Sequence, residues 1–189
     1  MSVAITSTQQ GFSLIEVSIV TAIVLLLAII GVPAIGGYVI ENKVPKVGEE
    51  LARFILQTKV NAPNGSTEPY DGIDTSNFAN LVRESSIFAV SGTGSAVKVL
   101  HGLGTDGEVN ITPNASRNAF SITLYKVNNA ACPSIASVMQ RVSDSITVTP
   151  LNGATSTVKD SAQNIHYSAL ATESKCAKGD VNTFVFTAS

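Results

Sequence analysis

The chain has 189 residues, 14% of them charged, and a net charge of −2. That length suits one globular domain with an appendage, and the charged share falls well below the roughly 25% usual for such domains. Twelve scattered Lys and Arg against fourteen Asp and Glu form no basic patch, which argues against a nucleic-acid partner.

Part of the charge deficit lies near the N-terminus, in the stretch "QQGFSLIEVSIVTAIVLLLAIIGVP". From Val17 to Ile40, 24 residues pass without a charge. As a helix at 1.5 Å per residue they span about 36 Å, enough to cross a ~30 Å hydrocarbon core with some tilt. An ordinary secretory signal has a basic first region and an apolar core of about 7–15 residues. Here "MSVAITSTQQ" carries no Lys or Arg, and the apolar run is longer. A plain single-span anchor is one reading. It leaves Glu16 unexplained, because an isolated charge inside a bilayer costs roughly 2.5–3.5 kcal/mol even on the gentlest insertion scale.

The string Gly11-Phe12-Ser13-Leu14-Ile15-Glu16, followed by that run, resembles the class III signal of type IV prepilins. The resemblance implies a membrane peptidase that cuts after Gly11 and methylates the new N-terminus at Phe12. It also implies that Glu16, fifth in the mature chain, pairs with the N-terminal ammonium of a neighbouring subunit during filament assembly. Two opposite charges buried together cost far less than either alone, and removing one strands the other. Pro33 stands where many type IV pilins carry a proline. Inside a helix it removes an amide and disturbs the bond to the carbonyl of Ile29. With Gly31, Gly36 and Gly37 beside it, the helix is expected to bend or partly melt there. Family leaders usually hold a basic residue before the glycine, and this one has none. The implied organisation is a leader over residues 1–11, a membrane and polymerisation helix over 12–40, and an amphipathic half-helix with a globular head over 41–189.

Beyond the membrane run, Val44, Val47, Leu51, Phe54, Ile55 and Thr58 recur at helical spacing, with Lys46, Glu49, Glu50, Arg53 and Lys59 between them. One helix is therefore expected from Phe12 to about Asn61, broken or bent near Pro33 and Pro45. Fifty residues make a spine of about 75 Å, and "NAPNG" ends it with turn formers. "DTSNFANLVRESS" reads as a short helix with Asp74 or Ser76 as N-cap and Phe78, Leu81 and Val82 inward.

"AVKVLH" and "EVNIT" read as strands around "GLGTDG", which formally contains GxGxxG at Gly102, Gly104 and Gly107. Dinucleotide binding needs a following helix to receive the pyrophosphate. The residues that follow are β-branched and alternating, so a hairpin is expected. "AFSITLYKV" is the clearest strand, with Phe120, Ile122 and Leu124 on one face and Ser121, Thr123 and Tyr125 on the other. "CPSIASVMQRV" reads as a helix with Pro133 in its first turn and Ile135, Val138, Met139 and Val142 inward. "SITVTP", the Asn152-Gly153 turn and terminal "NTFVFTAS" add further strands. The expected class is α+β: a twisted antiparallel sheet laid on a long helix, with a C-terminal disulfide region.

With the anchor placed, Cys132 and Cys176 fall in an exported compartment where disulfides persist. Closing a loop of about 44 residues stabilises by roughly 4 kcal/mol in the chain-entropy account. Neither thiol has a His or Cys cluster near it in sequence, and there is no CxxC. A bridge also fits the family, whose members commonly staple the C-terminal region. "AFSITLYKVNNAACPSIASVM" and "CAKGDVNTFVF" narrow the resemblance to type IVb pilins, especially bundle-forming and thin conjugative pilus subunits. It is specific over about the first 35 residues and much of the last 75, while residues 63–105 agree only in kind.

The resemblance implies a structural subunit that starts as a single-pass inner-membrane protein and ends in an extracellular pilus for adhesion, aggregation or conjugation. Implied partners are copies of itself, a prepilin peptidase, an assembly ATPase with its inner-membrane platform, an outer-membrane secretin and minor pilins. Rival readings are a minor pilin, a type II secretion pseudopilin, or a membrane-anchored periplasmic enzyme or binding protein. His101 and His166 stand alone, no catalytic or metal motif is found, and no cofactor is expected. Asn64, Asn110 and Asn114 head glycosylation-like triplets of a kind that arises often by chance.

Overall fold

One helix, α1, runs from Leu14 to Asn61 in the computed structural model, which describes residues 13–189. The chain falls into two units, Met1–Gly37 and Tyr38–Ser189, and α1 contributes to both. It continues through Pro33 and Pro45, so neither proline divides it into two helices.

In the first unit the side chains of Leu14 to Ile30 are exposed, Leu14 by 88% and Ile29 by 76%. This is the one helix among the described residues long and apolar enough to cross a membrane. A helix suits such surroundings because its backbone groups bond one another. The two hydroxyls do likewise: Ser18 donates to the Leu14 carbonyl at 2.8 Å and Thr21 to that of Val17 at 2.7 Å.

In the second unit, the rest of α1 buries Val44, Val47, Leu51, Phe54 and Ile55, the face set by its helical period. Helix α2, Thr75–Val82, follows a turn and is capped by Asp74, whose carboxylate accepts from Ser76 and Asn77 while Asn77 bonds back to Asp74. Phe78, Ala79 and Val82 are its buried residues and Leu81 is half-buried.

Seven strands form one sheet: β1 Ala89–Ser91, β2 Lys98–Leu100, β3 Glu108–Pro113, β4 Phe120–Asn128, β5 Ser145–Pro150, β6 Ser156–Asp160 and β7 Asp180–Ala188. Their order is β1-β2-β3-β4-β7-β5-β6 and every pairing is antiparallel. The terminal strand is thus inserted in the interior, between β4 and β5, with Ile122 opposite Phe186 on one side and Ile146 opposite Phe186 on the other. Phe120, Ile122, Leu124, Ile146, Val148, Phe184 and Phe186 are fully buried, as period-two alternation predicts. The Phe54 ring meets Phe78 at 5.3 Å and Phe120 at 6.2 Å edge-on, which locks α1 to α2 and β4. The architecture is the α+β class expected from the sequence.

Helix α3, Cys132–Met139, has Pro133 in its first turn, as expected, but ends earlier than the sequence pattern implied. Ile135, Ala136 and Met139 are buried, while Val138 and Val142 are only partly so. The Lys159 ammonium closes that end by donating to the carbonyls of Gln140, at 2.7 Å, and Ser143, a favourable place for a cation. Strands β1 and β6 and the short helix α4, Ala169–Glu173, were not legible in the residue pattern. Strand β4 also departs from simple alternation. Its register shifts between Leu124 and Val127, with Lys126 at φ +56°, so Val127 returns to the core after two exposed residues.

Candidate assembly site and the cysteine-stapled region

The cleavage and methylation residues implied by the sequence, Gly11 and Phe12, lie outside the described residues. Glu16 lies within them, in the exposed first turn of α1. Its Oε2 accepts the Ser13 N–H at 2.8 Å, while Ser13 Oγ accepts the Ile15 N–H at 3.3 Å. Glu16 therefore supplies the reach-back half of the S-x-x-E helix start, while Ser13 Oγ caps the Ile15 amide rather than that of Glu16. That signal was present in the sequence, and Ser13 was not singled out. The carboxylate thus sits at a helix N-terminus, where the positive end of the dipole favours it. Pro33 lies inside α1, in the first unit.

Cys132 and Cys176 are joined, with Cα atoms 6.5 Å apart. The bridge ties the start of α3 to the segment leading into β7. Around it the polar groups of that segment are held individually. Asn182, fully buried, donates to Val127 O at 3.1 Å and Ala177 O at 2.8 Å, and accepts the Ala177 N–H at 2.8 Å. Asn129 accepts the Gly179 N–H at 2.9 Å, and the Tyr167 hydroxyl donates to Pro133 O at 2.5 Å. Asp180 accepts from Thr105 N–H at 2.8 Å and from the Asn128 amide. Burial pushes the Asp180 carboxyl up, but the Asn128 and Thr105 bonds outweigh it and hold the group below its ordinary range. Neither Asn182 nor Asn128 was singled out in the sequence, because a polar type reads as surface; the one available signal was that Asn182 is in phase with Phe184 and Phe186 on the inward face of β7.

The glycine-rich stretch is the antiparallel β2–β3 turn, as the alternating residues after it imply. A side chain at Gly104 would strike the Lys126 carbonyl and one at Gly107 the His101 ring. These two glycines serve close approach to β4 rather than a phosphate. His101 is fully buried: its Nδ1 accepts the Leu103 N–H at 3.0 Å and its Nε2 lies 2.8 Å from Tyr125 O. Burial holds the imidazole pKa below its ordinary value, against the opposing pull of the Tyr125 bond and Asp180. No group of three His, Cys, Asp or Glu side chains converges on one point among the described residues.

A long apolar N-terminal helix, an antiparallel sheet with its last strand in the interior, and a C-terminal disulfide define the type IV pilin class. Residues 91–189, just over half of the chain, match the protein-family profile described as PilS N terminal, and the chain belongs to that family. It is similar in fold to the crystal structure of a type IV b pilin from Salmonella typhi, at 19% identity and TM-score 0.50 over 75% of this chain and 94% of that one. TcpA, a type IV pilin from Vibrio cholerae El Tor biotype, aligns at 16% identity and TM-score 0.45 over 79% of this chain and 99% of TcpA. No curated protein matches the chain. Pilins are structural subunits.

Proposed function

We propose that this chain is the subunit of a type IV pilus of the IVb kind and that it polymerises through its N-terminal helix. The observation that carries the reading is the exposed apolar part of α1 with a single carboxylate, Glu16, at its start. In this reading residues 1–11 are a leader removed by a prepilin peptidase after Gly11, and Phe12 becomes the methylated N-terminus. Residues 12–40 hold the subunit in the inner membrane until assembly, with Pro33 marking a bend, and 41–189 form the rest of the helix and the head.

Outside the bilayer, packing many such helices side by side keeps their apolar surface out of water, at about 25 cal/mol per Å². Glu16 then meets the ammonium of Phe12 in a neighbouring copy, so that neither charge is buried alone. An assembly ATPase with its platform, an outer-membrane secretin and minor pilins complete the apparatus, and the filament serves adhesion, aggregation or conjugation. Mass spectrometry of sheared surface filaments tests this. Abundant subunit beginning at methylated Phe12 is expected, and filaments carrying intact Met1 reject the processing.

A further inference from the structure

The sequence contains two Asn-Gly pairs, Asn64-Gly65 and Asn152-Gly153, and the fold places them at different positions of their turns. In the first, the Ser66 N–H donates to the Pro63 carbonyl at 3.4 Å, so Gly65 is the third residue of the turn. Its φ of +79° is the value a type II turn requires there. Neither the Asn64 side chain nor the Gly65 N–H has a hydrogen-bond partner among the described residues, and a Cβ on Gly65 would meet nothing within 4 Å. In the second, Gly153 is the fourth residue, and its N–H closes the turn onto the Pro150 carbonyl at 3.0 Å. Pro150 also packs on Gly153, since a Cβ there would come within 2.5 Å of Pro150 Cγ. Both asparagines are exposed, so exposure does not separate them; the bonding of the glycine nitrogens does.

We infer that Asn64 is a site of spontaneous covalent modification and that Asn152 is protected from the same reaction. The Gly65 backbone nitrogen attacks Asn64 Cγ, forming a C–N bond and a five-membered imide. The side-chain amide leaves as ammonia, taking the proton from that nitrogen. Water then adds across either imide C–N bond, its hydroxyl going to carbon and its hydrogen to nitrogen, which leaves aspartate or isoaspartate. Nothing is oxidised, and water is the only co-reactant. At Gly153 the attacking nitrogen must first give up its bond to Pro150. Each event at Asn64 places a new negative charge just past the C-terminal end of α1, so older protein separates as a more acidic species.

Incubation of the whole detergent-extracted chain at mildly alkaline pH, followed by digestion and quantification of aspartate and isoaspartate at both positions, tests this. Product at position 64 should build up at least about fivefold faster than at 152, the factor that one ordinary hydrogen bond carries. In urea-unfolded protein the ratio should fall toward one. Equal rates in the folded chain, or a faster reaction at 152, overturn the inference. So does a ratio unchanged by unfolding, because neighbouring residues rather than the turns would then set the rates.

Discussion

The imidazole Nε2 of His101 lies 2.8 Å from the carbonyl oxygen of Tyr125, while Nδ1 receives the Leu103 N–H at 3.0 Å. One nitrogen must carry a proton and the other must not, so the buried ring is neutral in a single tautomer.

Acid should therefore loosen the head. Burial lowers the folded-state pKa of His101 below the ordinary 6.5, so the unfolded chain takes up the proton first. The stabilisation is complete above about pH 6.5 and is lost as pH falls from there through the lowered folded value. The loss should reach about 1–3 kcal/mol, the cost of stranding the buried Leu103 N–H. Asp180 titrates from below 3.8 and adds its own loss only in stronger acid. Urea unfolding across this range, read by near-ultraviolet dichroism, should show the slope, and His101→Gln should flatten it.

Gly48 faces α3. A Cβ there would come within 2.5 Å of Val138 Cγ1 and 3.0 Å of Val138 Cβ. Alanine gains about 1 kcal/mol in helix propensity over glycine, but a stiff β-branched neighbour makes overpacking of about 1–3 kcal/mol the larger effect. Gly48→Ala should lower the unfolding midpoint in denaturant. Adding Val138→Ala should recover most of the loss, and additive losses in the double variant would refute the steric account.

Cys176→Ser opens a loop whose ends are 44 residues apart. The expected loss is about 4 kcal/mol in the chain-entropy account. Subunit abundance should fall before any binding activity does, as quantitative blotting of membrane fractions will show. Thiol titration of unreduced, unfolded wild-type protein should find none.

Glu16→Gln keeps the acceptor for the Ser13 N–H, so the start of α1 should form as before. Only the charge is removed. Membrane insertion and cleavage after Gly11 should continue, while filaments become few or absent because the incoming ammonium is buried without a counter-charge. N-terminal sequencing of membrane subunit and the yield of sheared filaments from the same cells measure both arms. Wild-type filament yield in this variant rejects the pairing role.

Much of this protein could be read along the chain. The charge-free run after Glu16, the buried period of Val44, Val47, Leu51, Phe54 and Ile55, and the alternation of Phe120, Ile122 and Leu124 each depend on neighbours within one element. Such patterns are local and survive in a string of letters. The Asp74 cap and the Pro133 helix start are legible for the same reason, and the hairpin at Gly102–Gly107 follows from what comes after it.

The tertiary structure alone decided the rest. Strand β7 lies between β4 and β5, a placement no local period encodes because it depends on which distant edges are free to pair. The bulge at Lys126 moved Val127 back into the core, and the Gly104 turn and Asn182, both distant in sequence, close on that stretch of β4. Asn182 and His101 are polar residues that residue type assigns to the surface, although each is in phase with buried strand neighbours, Phe184 and Phe186 for the one and Val99 for the other. Their burial is tolerated because backbone groups satisfy them, some local, at Ala177 and Leu103, and some on distant β4, at Val127 and Tyr125. Residue type sets what each segment can form; long-range contact sets where a polar group finds its partner.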